Sequence, residues 1–318
     1  MTPSPRALRW PAVAAALGSV AAVGGCGAGA ASGDGAALTI GFVNGDTSEF
    51  ATCLQKAVEQ EAKARGVTLK TANSRMDAAK ELSNIKDMIT RQANVLMVQT
   101  VNIDALEGDM AKAEAAGVPL YLASLATDDV SGILGAAAVD LKGLGALDAG
   151  WVAEDAGGEP VQVGVIAGAP GAASDLMVAG FTEALPDTAK VVADQPGMFN
   201  PVKAQDVAEN MIEAHPDMDY VFVANEEMAF AARKVFDSRG GEDIKIVTEN
   251  GTEEGLAAVE DGRFSATVAN SPKVIGETAV RSTADLMEKG EKGKVSGIPL
   301  TLITKDNREE APQYCPAG

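Results

Sequence analysis

From residue 38 onward, short apolar runs rich in β-branched residues alternate with segments whose apolar positions recur at helical spacing. That alternation predicts successive strand–helix units and a parallel sheet. LTIGFVN at 38–44 leads into a helix carrying Phe50, Leu54, Ala57, Val58 and Ala62 on one face, with Gly66 to close it. VTLKTA precedes a helix bearing Leu82, Ile85, Met88 and Ile89, NVLMVQT precedes one bearing Leu106, Met110 and Ala113, and VPLYLAS ends this first group. The periodicity then weakens over LATDDVSGILGAAAVD, residues 125–140.

A second group repeats the grammar. VQVGVIAG precedes a helix ending in FTEAL, KVVAD precedes VKAQDVAENMIEAH, YVFVAN precedes EEMAFAARKVF, and IKIVTEN, EEGLAAVEDG and FSATVAN follow. A helix, KVIGETAVRSTADLMEKG, and a strand, PLTLIT, end the pattern. A chain of 318 residues exceeds one core of ordinary size, so two doubly wound α/β lobes are expected. Periodicity alone assigns the last helix and strand to neither lobe.

Ahead of this pattern, Arg6 and Arg9 are followed by WPAVAAALGSVAAV, which has the outline of a secretory signal and is too short to span a bilayer comfortably. VGGC at 23–26 resembles a lipobox, which implies a signal peptide over 1–25 and a lipid on Cys26; ordinary cleavage nearby is the alternative. The glycine- and alanine-rich stretch that follows makes 26–37 a flexible tether. The formal charge is −19, and removing residues 1–25, with two arginines and no acids, takes it to −21. A surface that acidic argues against nucleic acid or polyanions as partners. With Cys26 assigned to the anchor, Cys53 and Cys315 remain. In an exported protein they either pair, with Cα atoms within about 7 Å, or stand apart as a helix residue and a tail thiol.

Catalytic constellations are scarce. The only histidine, His215, ends a helix before Pro216 and reads as a C-cap, so no nucleophile–histidine pair is available. Metal-ligand spacings, GxGxxG and the Walker sequence are missing, and GAPGAAS at 168–174 reads as a turn permitting close approach. Polarity concentrates instead at strand ends: Asn102, Asn225, Asn250 and Asn270 each follow an apolar run. The carboxyl ends of strands border the ligand crevice of an open α/β sheet, and an amide offers both donor and acceptor. Helix N-capping is the alternative use of an asparagine at such a junction.

The segments AHPDMDYVFVANEEMAFAA, TENGTEEGLAAVEDGRFSATVANSP and QANVLMVQTVNIDAL with AGVPL resemble the ribose-binding-protein-like, type I periplasmic binding proteins of sugar ABC transporters, over roughly 38–304. The resemblance implies two Rossmann-like lobes joined by three hinge strands: 38–124 plus 271–299, and 125–270 plus 300–318. It implies an exported, monomeric, non-enzymatic receptor for a small polar ligand, a sugar or polyol, that needs no cofactor or metal and delivers to an ABC permease with its ATPase. A sensor-coupled receptor, or a binder of a small cationic metabolite, is the alternative.

By the same resemblance, Asn225 falls on a sugar-binding asparagine, and Phe50 and Phe199 fall on ring-stacking aromatics. Ser48 replaces an asparagine, Asn102 and Asn250 replace aspartates, Asp175 replaces an arginine and Asn270 replaces a glutamine. Glu49, Ala51 and Ile103 also depart from the family pattern. The expected pocket is therefore less cationic than that of a ribose binder, which puts ribose itself in doubt.

Overall fold

The computed structural model describes residues 37–103, 106–127 and 129–317, so the expected signal segment and Cys26 lie outside the described residues. The chain runs β1 (Thr39–Asn44), α1 (Glu49–Ala64), β2 (Thr68–Asn73), α2 (Ala78–Thr90), β3 (Val95–Val98), α3 (Leu106–Ala115), β4 (Leu120–Ser124) and β5 (Gly135–Val139). It continues through α4 (Leu141–Ala156), β6 (Val161–Ala167), α5 (Ala172–Ala184), β7 (Ala189–Pro196), α6 (Pro201–Ala214), β8 (Tyr220–Val223), α7 (Glu226–Ser238), β9 (Lys245–Asn250), α8 (Glu253–Asp261) and β10 (Ala266–Ala269). It ends with α9 (Pro272–Lys289), β11 (Lys294–Ile298) and β12 (Thr301–Ile303).

These strands form two sheets. The first has the order β11-β5-β4-β3-β1-β2 and is parallel throughout; the second has the order β12-β10-β9-β8-β6-β7, with only β12 antiparallel. Helices cover both faces of a parallel sheet, so its central strands are apolar on every residue. Val95–Val98 and Tyr220–Val223 are buried throughout. The chain passes between the sheets after β5, after β10 and after β11. After the second passage α9 packs on α1, β4 and β5.

Sheet membership differs from the expected lobe boundary in one respect. The expected boundary puts residues 125–270 in the second lobe, whereas β5 pairs with β4 and β11 in the first sheet. Its sequence, GAAAV, carries too little apolar contrast to announce a strand, because small residues are what this site holds. A Cβ on Gly135 would lie 2.4 Å from the Lys294 carbonyl oxygen of β11 and 3.0 Å from Leu286. β11 itself, KVSGI, is a largely exposed edge strand and gives no hydrophobic signal.

Several readings of local chemistry correspond to the geometry. His215 is the C-cap of α6, its N–H donating to the Met211 carbonyl. Cys53 and Cys315 form a disulfide with Cα atoms 4.9 Å apart, which resolves the two alternatives left open for them.

Helix α4, the first element after the passage out of β5, meets α5 at glycines. A Cβ on Gly145 would lie 2.0 Å from the Met177 carbonyl oxygen, and one on Gly180 would lie 2.0 Å from the Lys142 carbonyl oxygen. Gly145→Ala therefore separates the helices and is expected to cost about 1–3 kcal/mol of unfolding free energy. Gly150→Ala, on the same helix where an added Cβ meets nothing, is expected to leave stability unchanged or raise it by up to about 1 kcal/mol. Urea denaturation of both variants checks the contrast.

Candidate functional site

A cavity of about 740 Å³ opens among the strand ends of the two sheets. From the first sheet it is lined by the β1–α1 turn (Asp46 to Phe50), by Arg75 and Met76 after β2, by Gln99 to Val101 after β3, and by Ala123 to Leu125 at the end of β4. From the second come Met198 to Pro201 between β7 and α6, Asn225 to Glu227, Glu249, Asn250 and Thr252 around the end of β9, and Asn270 after β10. Turns that follow parallel strands converge here because each strand delivers its successor helix at the same edge of the sheet.

Backbone conformation marks the same place. Seven described non-glycine residues have positive φ, and six of them line this cavity: Arg75, Met76, Ser124, Met198, Phe199 and Asn250; Gln92 is the exception. Such conformations cost free energy, and they persist where the surroundings over-determine them, as at ligand sites. Asn250, at φ 139°, is held by the Asn270 N–H donating to its carbonyl at 3.0 Å.

Of the residues singled out in the sequence, Ser48, Phe50, Phe199, Asn225, Asn250 and Asn270 are brought to this cavity. Their roles divide. Ser48 Oγ caps α1 by accepting from Ala51 N at 3.2 Å, and Asn225 Oδ1 caps α7 by accepting from Met228 N at 2.9 Å. The amide nitrogen of Asn225 makes no hydrogen bond to the described residues, so Asn225 is both a cap and a wall of the cavity. Neither Asn250 nor Asn270 is the N-cap of the helix that follows it, since Thr252 caps α8 and Ser271 caps α9, although Asn250 Oδ1 accepts from Glu226 N at the start of α7 at 3.4 Å. Both asparagine amides instead donate to Oε2 of Glu249, at 3.3 and 3.2 Å. Asn270 Oδ1 is buried with no hydrogen-bond partner among the described residues.

Two residues are not brought there. Asp175 is exposed in the first turn of α5 and lines a separate recess of about 420 Å³ with Ser174 and Asp194. Ala173 and Met177 face the main cavity, and helical geometry turns the residue midway between them to the opposite side. Asn102 does not line the cavity either, whereas its neighbours Thr100 and Val101 do. That loop is held by Glu81, which accepts from Thr100 Oγ1 and Val101 N, both at 2.7 Å.

Apart from Glu49 and Glu249, which the family resemblance puts at the edge of the site, the carboxylates are what sequence reasoning missed. Asp46, Glu49, Glu226, Glu227, Glu249 and Glu254 line the cavity, against Arg75 as the cation among its lining residues. Glu226 and Glu227 stood in plain view beside Asn225, but nothing in one dimension separates a solvated acid from a buried one. Glu226 is 1% exposed and accepts from Gly251 N and Thr252 N, each at 3.0 Å, from Thr267 Oγ1 at 2.7 Å, and from Thr252 Oγ1. Burial still holds its carboxyl above the usual range. Glu249 is pushed up to about 8, chiefly by burial and further by Glu226, against the Asn270 hydrogen bond. Asp148 of α4 is fully buried with neither oxygen hydrogen-bonded among the described residues, and burial, then Glu249, holds it well above its ordinary value. Burial and Glu254 raise Glu49; burial, Glu49 and Asp46 raise Glu227. Acids from the two sheets thus repel one another across the gap.

Phe199 owes its place to Gly168 in the GAPGAAS turn. A Cβ there would lie 2.1 Å from the Phe199 ring, so the close approach expected of that turn is made by an aromatic side chain.

Two α/β sheets whose strand ends share one polar cavity offer a place for a small guest, and comparison of the sequence names the family. Residues 40–292 match the family model described as a periplasmic binding protein domain. The chain belongs to the periplasmic binding protein family. It is 30% identical over 270 residues to the ribose import binding protein of Bacillus subtilis (strain 168), covering 84% of this chain and 88% of that protein. It is 27% identical over 313 residues to the xylitol-binding protein of Mycolicibacterium smegmatis, covering 94% of this chain and 88% of the relative. Among solved structures, the binding protein of the arabinose ABC transporter from Shewanella sp. ANA-3, bound to α- and β-L-arabinofuranose, superposes with a TM-score of 0.79 at 26% identity, covering 86% of this chain and 93% of that one. Periplasmic binding proteins work outside the cytoplasm, and the relatives are binding proteins.

The raised carboxyls make this periplasmic binding protein sensitive to pH. A carboxyl whose folded pKa exceeds its unfolded value keeps its proton in the native state, so its stabilising contribution is complete below the unfolded value, 4.5 for Glu249, and is lost as pH rises through about 8. The melting temperature of the ligand-free protein is therefore expected to fall between pH 5 and pH 8, and Glu249→Gln should flatten that decline. Differential scanning fluorimetry across this range checks the slope.

Proposed function

We propose that this periplasmic binding protein is the solute-capturing component of an ABC importer, and that its guest is a small polyhydroxylated molecule, a sugar or polyol, held in the cavity between the two sheets. One observation carries the reading: the amides of Asn250 and Asn270 donate to one oxygen of Glu249, and Glu249, Asn225 and Asn270 line the same cavity as Phe50 and Phe199. Hydroxyl groups both donate and accept, and such a wall serves both needs. Phe50 and Phe199 offer flat apolar surface to the C–H face of a ring. The names of the relatives, which bind ribose, xylitol and arabinofuranose, support the same class of guest.

The three passages of chain between the sheets act as a hinge in this reading. A guest that touches both sides favours the closed arrangement by its differential affinity, and an ABC permease with its ATPase receives that closed form. Cys26 carries the lipid that keeps the receptor at the outer face of the membrane. The protein is monomeric and performs no chemistry on its guest.

A second reading, favoured by the six carboxylates against one arginine in the lining, gives the guest a protonated amine. Thermal-shift screening of the mature protein against sugars, polyols and their amino-substituted counterparts tests both, because a ligand of the native state raises its melting temperature by mass action. A neutral polyol is expected to bind with little pH dependence. An ammonium is expected to bind more tightly as pH rises from 6 to 8, because Glu249, at about 8, ionises to meet it. Gly168→Ala, which displaces Phe199, and Asn225→Ala are each expected to weaken the successful compound about tenfold or more. A protein that no compound of any of these classes stabilises overturns the receptor reading.

A further inference from the structure

The last residues of the chain reach a place that neither sheet requires. β12 pairs in the second sheet, and after a short 3₁₀ turn at Arg308–Glu310 the tail crosses toward the helices of the first. Ser271 Oγ donates to the Gln313 carbonyl at 2.7 Å, and Lys273 N donates to that of Tyr314 at 3.2 Å. Cys315 is bonded to Cys53 on α1, and Gln60 Nε2, one helix face along, donates to the Ala317 carbonyl at 2.9 Å. The tail is thus a fourth covalent connection between the two halves of the fold, and its anchor, α1, is the helix whose first turn carries Glu49 and Phe50 into the cavity.

The crossing places Tyr314 in the wall of the cavity with 6% of its surface exposed. Its hydroxyl makes no hydrogen bond to the described residues, although it lies within the fields of Glu49, from the first side, and of Glu226, Glu227 and Glu249, from the second. Apolar packing alone does not explain a phenol so placed. A buried tyrosine normally finds a partner for its O–H, and here the side that remains for one is the cavity.

We propose that Tyr314 is a ligand-contacting residue of this receptor, and that the Cys53–Cys315 disulfide is the device that holds it in the site. The proposal rests on the solute-receptor reading above and adds to it a wall supplied by the C-terminal tail. Chain ends fray unless tied down, and the ties on this one are the disulfide and the three hydrogen bonds just described. Opening the disulfide frees the tail, withdraws the ring from the cavity, and removes one link between the halves. Export to a compartment where disulfides persist keeps the site complete.

Isothermal titration of the oxidised protein with D-ribose, L-arabinose, xylitol, myo-inositol and D-glucosamine supplies the probe, namely the compound of these that binds most tightly. Tyr314→Ala, which leaves the disulfide in place, is expected to weaken that compound about tenfold or more, and Tyr314→Phe by less, since it keeps the ring and loses the hydroxyl. The double variant C53S/C315S is expected to lose affinity in the same direction. The combined variant C53S/C315S/Y314A should be no weaker than Tyr314→Ala alone, because interactions acting through one group are not additive. An unchanged Kd in Tyr314→Ala overturns the proposal while leaving the receptor reading intact, even if the cysteine variants fail to fold. Losses that add independently overturn the assignment of the disulfide to positioning the tyrosine. If the wild-type protein binds none of the five compounds, the receptor reading loses its support and this proposal falls with it.

Discussion

The polar wall that β8, β9 and β10 present to the cavity depends on one buried carboxylate. Glu226 accepts hydrogen bonds from the turn after β9 and from Thr267 on β10 while standing in the first turn of α7 after β8, so it ties together three successive strand ends. Burying a carboxylate is costly unless its lone pairs are met, and here four donors meet them. Gly255 makes the arrangement feasible, because a Cβ at that position would lie 2.0 Å from the carboxyl carbon of Glu226. With these ends locked, Glu249, Asn250 and Asn270 have a rigid base from which to face a guest, as a preorganised site requires.

The run ANEE thus performs three separate tasks in adjacent residues. Asn225 caps a helix and borders the cavity, Glu226 bolts the sheet together from within, and Glu227 lines the gap opposite the acids of the first sheet. Like charge also faces across that gap. Beyond burial, Glu254 raises Glu49, and Glu49 with Asp46 raises Glu227, so a proton, a cation or a hydrogen-bonding guest between these acids relieves their repulsion.

Beneath the site, α4 carries Asp148 against the underside of β9 and β10, near Glu249. The helix is pressed onto α5 through glycine contacts at the point where the chain first leaves the first sheet. Electrostatics of the cavity and packing of the connecting elements are therefore physically adjacent.

The alternation of β-branched runs and helical periods was enough to read the strands β1 to β4, β6 to β10 and β12, most clearly the central ones such as β3 and β8, because parallel strands buried on both faces are continuous apolar runs. It failed for β5 and β11, where Gly135 and its alanines leave room for a neighbouring backbone and an exposed edge strand needs no apolar pattern. Strand-end asparagines pointed to the right edge of both sheets, since chain direction in a βα unit dictates which end faces the crevice. Tertiary structure alone decided the rest. Rotation about a helix axis removed Asp175, Glu81 took charge of the loop before Asn102, and a disulfide spanning 262 residues carried Tyr314 into the cavity. Local pattern reports the period of a segment and the direction of its strand, whereas burial of a particular carboxylate and the landing place of a tail depend on residues that meet only once the chain is folded.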